Sequence, residues 1–231
     1  MELVQIRVLR GPNLWSKHPS IEAILLTNKR AYLIDDIPDF ESRLRDRFPE
    51  LALWHPTCKY DVKTIAHILE FAALGLQSQI GCPVTFGQTL SLPDQRGYRV
   101  IVEYSEEAVG KLSLQYAYDL CIATIENLPY YLNYALQRMQ LLYEDIRLGP
   151  STGAIVKAAT SRGIPYRRLT DGSLVQLGWG SKQRRIQATE SDRTNAVAES
   201  IVQDKQLTKM LLQTAGIPVP LGRSVNDAED A

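Results

Sequence analysis

Ser200-Ile201-Val202-Gln203-Asp204-Lys205-Gln206-Leu207-Thr208-Lys209-Met210-Leu211-Leu212-Gln213-Thr214-Ala215-Gly216-Ile217-Pro218-Val219-Pro220 reads as a helix that stops at a glycine and gives way to extended chain. The helix is expected to start near Asn195 and to carry Asp204-Lys205 in its middle. Gly216 suits the left-handed position that commonly ends a helix. Pro218 and Pro220 cannot prolong a helix, and each holds its predecessor in extended conformation.

Outward from this stretch, the chain divides. Leu148-Gly149-Pro150-Ser151-Thr152 is the expected domain boundary, giving units 1–147 and 148–231. Gly149-Pro150 breaks one helix, and Ser151 or Thr152 offers a hydroxyl to cap the next, which runs to about Arg162. Strand and turn texture follows at residues 164–169, 173–177 and 184–188. In the first unit, residues 3–9 read as a strand closed by the turn Arg10-Gly11-Pro12-Asn13. Residues 21–26 and 30–34 read as further strands about a Thr27-Asn28-Lys29 turn. Residues 40–48 read as a short surface helix.

Apolar residues Ile65, Ile68, Leu69, Ala72 and Leu76 recur at helical steps, predicting an amphipathic helix that stops near Gly81. Residues 98–104 predict a buried strand. Glu106 and Glu107 favour the first turn of a long helix lined by Val109, Leu112, Tyr116 and Leu120. Pro129 is expected to open another, with Leu132, Leu136, Met139 and Ile146 inward. The fold class is α/β, with α+β as the variant: a small sheet with several packed helices. The segment 226–231 reads as a frayed acidic tail.

The chain has 231 residues, 45% hydrophobic and 23% charged, which suits globular domains with ordinary cores. Lys+Arg and Asp+Glu both number 26, so the formal charge is zero. That balance argues against a dedicated nucleic-acid binder. Cys58, Cys82 and Cys121 form no CxxC pair and no disulfide framework, which fits a reducing cytoplasm. The N-terminus lacks the apolar core of a signal peptide, and no window approaches the ~20 apolar residues of a membrane span.

Several ordered stretches carry a family likeness. Val8-Leu9-Arg10-Gly11-Pro12-Asn13-Leu14-Trp15-Ser16 resembles the N-terminal signature of the cyanophycin synthetases. Leu148-Gly149-Pro150-Ser151-Thr152, Gly163-Ile164-Pro165 and Gln176-Leu177-Gly178-Trp179-Gly180-Ser181-Lys182-Gln183-Arg184-Arg185-Ile186-Gln187-Ala188 are similar to further landmarks, and Asp204-Lys205 to the opening of an ATP-grasp fold. The resemblance covers essentially the whole chain, in order. It implies a ribosome-independent polymerase in which an N-terminal domain binds polymer, an ATP-grasp domain adds Asp to the backbone, and a Mur-ligase-like domain attaches Arg to each Asp side chain. This chain would hold the first domain and a partial ATP-grasp lead-in, without ligase activity of its own. ATP and Mg would serve the complete enzyme, with neither tightly bound by this chain alone. The partners implied are cyanophycin polymer and ATP, with no nucleic acid or membrane and with homo-oligomers in the full enzyme.

The resemblance gives Lys205 a phosphate contact; by itself, a lysine on an amphipathic helix is an ordinary solvated side chain. Lys209, one turn on, reads as surface. The resemblance implies that Ser151 and Thr152 grip the polymer's C-terminal end; by themselves, their hydroxyls simply suit the cap of a helix, where free amides can also hold an anion. Arg184 and Arg185, with Arg162, Arg167, Arg168 and Lys182, form a basic group that suits phosphates or polymer carboxylates, or a solvated face. Arg10 either binds polymer or closes its own turn. No residue is assigned a catalytic role.

His67-Ile68-Leu69-Glu70-Phe71 nearly spells the His-x-x-Glu-His zinc pattern of a peptidase, which some family members resemble here with a further Glu downstream. Phe71 stands at the second His position and Gly75 at the later Glu position. One imidazole and one carboxylate do not make a three-ligand site, so hydrolysis of cyanophycin is the weaker alternative to a polymer-binding module without catalysis. No metal site is expected, and His67 reads as structural.

Overall fold

The computed structural model describes residues 1–27, 33–51, 64–93, 96–222 and 225. Asn28 and Lys29 of the predicted turn, most of the strand expected at 30–34, Trp54, His55, Cys58 and the acidic tail lie outside them. The chain forms two compact units, Met1–Leu148 and Gly149–Ala231.

The first unit is built on strands β1 (Glu2–Leu9), β2 (Ser20–Leu26), β3 (Gly87–Ser91) and β4 (Gly97–Glu103). They form an antiparallel sheet in the order β1-β2-β4-β3. The register pairs Ile21 with Val102 and Ala23 with Val100, so period-two alternation puts these apolar side chains on one face. All four are buried there. Helices α1 (Phe40–Arg47), α2 (Ile65–Gln79), α3 (Glu107–Ile125) and α4 (Leu132–Ile146) complete the unit. Helix α2 packs against β3 and β4 on one side and α3 on the other.

That sandwiched position corrects the amphipathic reading of α2. From Ile65 to Gln77 every side chain except His67 is buried, including Glu70 and Gln77. The predicted stripe is only one part of a helix covered almost all round. Gly75 permits this: a Cβ there would stand 3.3 Å from both Leu51 Cδ1 and Phe48 Cζ. Helix α4 begins at Leu132, three residues later than Pro129 suggests, yet Met139 is fully buried as expected. Strand β3 has no counterpart in the sequence reading, because Gly-Gln-Thr-Leu-Ser is a polar, half-exposed edge.

The second unit opens with α5 (Pro150–Thr160) and continues through β5 (Tyr166–Arg168), β6 (Leu174–Leu177), β7 (Arg184–Gln187) and β8 (Glu190–Ser191). These strands form a second antiparallel sheet, β5-β6-β7-β8. Val156 and Ala159 of α5 are buried, as are Val175 and Ile186, which face each other across β6 and β7. Mixed helix and sheet is the class expected, in antiparallel form throughout.

Two expectations of the second unit need correction. Pro150 is itself the first residue of α5 and Gly149 its cap, so neither Ser151 nor Thr152 caps the helix. Proline has no amide hydrogen to lose and its φ is already helical, which favours it at that place. The single helix expected from Asn195 to Gly216 is two: α6 (Ala196–Gln203) and α7 (Lys205–Thr214). Asp204 lies between them in extended conformation and accepts hydrogen bonds from the amides of Gln206 (3.0 Å) and Leu207 (2.9 Å). A carboxylate that can cap a new helix competes with continuing the old one. Gly216 ends α7 as expected, at φ 77°, with the Ile217 amide donating back to Leu212.

Candidate functional site

The cap at Asp204 moves Lys205 from the middle of a helix to the first position of α7. It is exposed, and its ammonium has no hydrogen-bond or ion-pair partner among the described residues. A cation at the positive end of a helix dipole gains nothing locally, and an anion at that end would be held by both. Lys209, one turn on, donates from Nζ to the Gly222 carbonyl (3.1 Å), tying α7 to the extended chain beyond it.

At the start of α5, Ser151 is exposed and Thr152 is 2% exposed. Thr152 Oγ1 donates to the Ala188 carbonyl (3.2 Å), joining the helix to the β7–β8 turn. Ala188 sits at φ 54°, a conformation a residue with a Cβ seldom adopts. Thr152 is thus a packing contact, and Ser151 carries the accessible hydroxyl.

The basic group divides by the sheet's geometry. Arg184 opposes Leu177 and Arg185 opposes Gln176, so these adjacent residues project to opposite faces of β7. Arg184 lies on the side of buried Val175 and Ile186, its Nη1 donating to the Gln183 carbonyl (2.8 Å). Arg185 is exposed on the other side, in line with Arg167, which opposes Gln176 from β5. Arg168 closes the β5–β6 turn, donating to the carbonyls of Asp171 and Gly172. The sequence shows the density of arginines but not this partition, which follows from register.

In the first unit, the Arg10–Ser20 loop folds around Asn13. Its Oδ1 accepts from the amides of Trp15 (2.9 Å) and Ser16 (3.1 Å), and its Nδ2 donates to the carbonyls of Gly11 (3.1 Å) and His18 (3.0 Å). Trp15 then lies 5.4 Å from the Arg99 guanidinium, ring to charge. Arg7 (2.8 Å) and Arg99 (3.1 Å) both pair with buried Glu22. Arg10 is held by Glu107 through two contacts, 2.8 and 3.3 Å, and Lys111 joins from the next turn (2.7 Å). The Arg10 bonds and the flanking cations draw the Glu107 carboxyl down to about 2.

The near-metal motif is occupied by protein partners. His67 Nδ1 lies 2.8 Å from Thr64 Oγ1, and burial lowers the imidazole's affinity for a proton. Thr89 Oγ1 donates to Glu70 Oε2 (2.6 Å). Burial pushes the Glu70 carboxyl up to about 7, against that hydrogen bond. Glu70 fits only because Gly87 faces it: a Cβ at 87 would be 2.5 Å from Glu70 Oε1. Among the described residues, no three His, Cys, Asp or Glu side chains gather to hold a metal ion. Among them also, no helix is long and apolar enough to cross a membrane.

Comparison with known proteins gives these residues a context. Residues 23–126 match the cyanophycin synthase-like N-terminal domain. The chain is 35% identical to the cyanophycin synthetases of Trichormus variabilis and of a Nostoc species, and 32% identical to that of Crocosphaera subtropica. Each match covers 100% of this chain and 27% or 28% of the relative. The chain therefore spans about a quarter of the length of the curated relatives it matches. Residues 23–126 thus carry the cyanophycin synthase-like N-terminal domain, and the whole length of the chain is similar to cyanophycin synthetases.

Proposed function

We propose that this chain is the part of a cyanophycin synthetase that tethers the growing polymer and opens the Asp-adding ATP-grasp module. The observation that carries the reading is similarity over the full length of the chain to cyanophycin synthetases. Lys205 supports it, as an unpartnered ammonium at a helix start. In the complete enzyme ATP, with Mg, supplies the phosphoryl group that activates a carboxylate toward an amine. Lys205 would hold a phosphate oxygen as a compact point charge. The Ser151 hydroxyl, beside the unbonded amides that open α5, would take the polymer's terminal carboxylate, with Thr152 anchoring that helix start. Arg184 and Arg185 would serve polymer on different faces. We assign no Mg ligand to this chain. A cytoplasmic, homo-oligomeric synthetase completes the proposal; the buried thiols of Cys82 and Cys121 fit a reducing compartment.

Two measurements test it. The 231-residue chain is expected to co-sediment with insoluble cyanophycin in the absence of ATP. In a complete synthetase carrying this segment, Lys205→Ala should raise the KM for ATP on the order of tenfold, the loss of one charge-assisted contact. No retention on polymer removes the tethering role, and unchanged nucleotide affinity removes the phosphate contact.

A further inference from the structure

The second sheet has one covered and one open face. Val175 (0% exposed) and Ile186 (7%) mark the covered one. On the other, Arg167 stands directly opposite Gln176, and Gln176 directly opposite Arg185. The Asp192 amide donates to the Arg185 carbonyl (2.9 Å), so Asp192 ends the same cross-strand row. Arg167, Arg185 and Asp192 are exposed, and no ion pair or side-chain hydrogen bond joins any of them to another described residue. Gln176 is half-buried and donates to the Gly178 carbonyl (3.2 Å). The next row on this face carries Gln187 opposite Glu190.

Strand spacing gives the row its dimensions. The two guanidinium-bearing positions are about 10 Å apart, and the Asp192 position lies ~5 Å beyond the second. The order across the sheet is therefore cation, amide, cation, carboxylate. A guanidinium takes a carboxylate through two parallel N–H bonds, and a carboxylate takes a guanidinium in the same way. A ligand matching this row must offer both signs within a short repeat. A pure polyanion meets two attractive positions but is repelled at Asp192 and again at Glu190.

We propose that the row Arg167–Gln176–Arg185–Asp192 is a docking strip for the zwitterionic repeats of the polymer, in which each Asp of the backbone carries an arginine with its own carboxylate and guanidinium. The strip rests on the polymer-tethering reading and adds a preference to it: arginylated chain is held, bare polyaspartate is not. Arg185 works here with Arg167, two strands away, rather than with its sequence neighbour Arg184. Holding finished repeats by weak, repeated charge contacts lets polymer slide while keeping it close, since each exposed pair contributes only ~0.2–1 kcal/mol.

Co-sedimentation of the full 231-residue chain with insoluble cyanophycin, with soluble polyaspartate as competitor, tests the strip. The double variant Arg167→Gln/Arg185→Gln should bind polymer about five- to tenfold more weakly, as expected for two exposed charge-assisted contacts. Polyaspartate should compete poorly with the unmodified chain and better with Asp192→Asn. Thermal melts of each variant should match the parent, since all three side chains are exposed. If the unmodified chain binds and the double variant binds equally well, the strip is overturned while tethering stands. Equal competition by polyaspartate overturns the zwitterion preference. Failure of the unmodified chain to bind overturns the strip and the tethering together.

Discussion

Glu70 shows at a single residue how burial changes a carboxylate. As the carboxylate of an incomplete metal motif it invites a catalytic role, yet it is buried, hydrogen-bonded to Thr89 and packed against Gly87. Burial raises its carboxyl from 4.5 to about 7, so between those values the folded state binds more protons than the unfolded chain. Stability must then fall as pH rises through that window, and the full cost is present above it. Gln has the same shape without the charge, and its carbonyl can still accept from Thr89. Glu70→Gln is expected to leave stability near pH 4 little changed and to raise it at pH 8 by on the order of 2–3 kcal/mol. Chemical denaturation at the two pH values checks this. An equal effect at both would show that the carboxyl does not titrate in the folded protein as described.

At the scale of elements, the separation of α6 from α7 matters most, because it decides where Lys205 points. Asp204 accepts from two amides that would otherwise have no partner at the start of α7. Asp204→Ala should cost about 1 kcal/mol. It should also let the two helices run together, seen as slower amide exchange across residues 203–206; faster exchange through α7 would mean that the cap is needed for the helix itself. The sequence makes both helices legible through their apolar spacing, and Gly216 marks the end of the second. It does not reveal the break, since Asp is tolerated inside a helix and only the competition between capping and continuation settles its role. The same limit applies to α5, where Ser151 and Thr152 look like caps until Pro150 takes the first helical position. The long buried strands and α2 are legible because burial leaves a periodic record. Strand β3 and the alignment of Arg167 with Arg185 across Gln176 are not, because a polar edge and a cross-strand register leave none.

Across the whole molecule, apolar burial is unequally shared. Among the described residues, the first unit buries Ile21, Leu25, Phe40, Phe48, Leu69, Leu76, Leu120 and Met139 to 2% exposure or less, within one continuous core. In the second, the buried apolar side chains among the described residues are Val156, Ala159, Val175 and Ile186, while Val197, Val202, Met210 and Ile217 are exposed. Hydrophobic burial at about 25 cal/mol per Å² must outweigh the entropy of ordering each residue, and a four-residue core leaves little excess. The two units are therefore expected to open at different free energies. Amide exchange of the 231-residue chain should show protection in α2, α3, β2 and β4 extending to the global unfolding limit, with β5–β7 and α5 exchanging through an earlier opening. If α6 and α7 bury their exposed apolar side chains against further polypeptide in a complete synthetase, protection of the second unit should rise there and that of the first should not. Equal protection of both units in the chain alone would mean that the small core is supported by contacts as strong as those of the large one. A polymer strip on the less stable unit would then also gain measurably from ligand, since binding to the folded form alone raises its opening free energy by mass action.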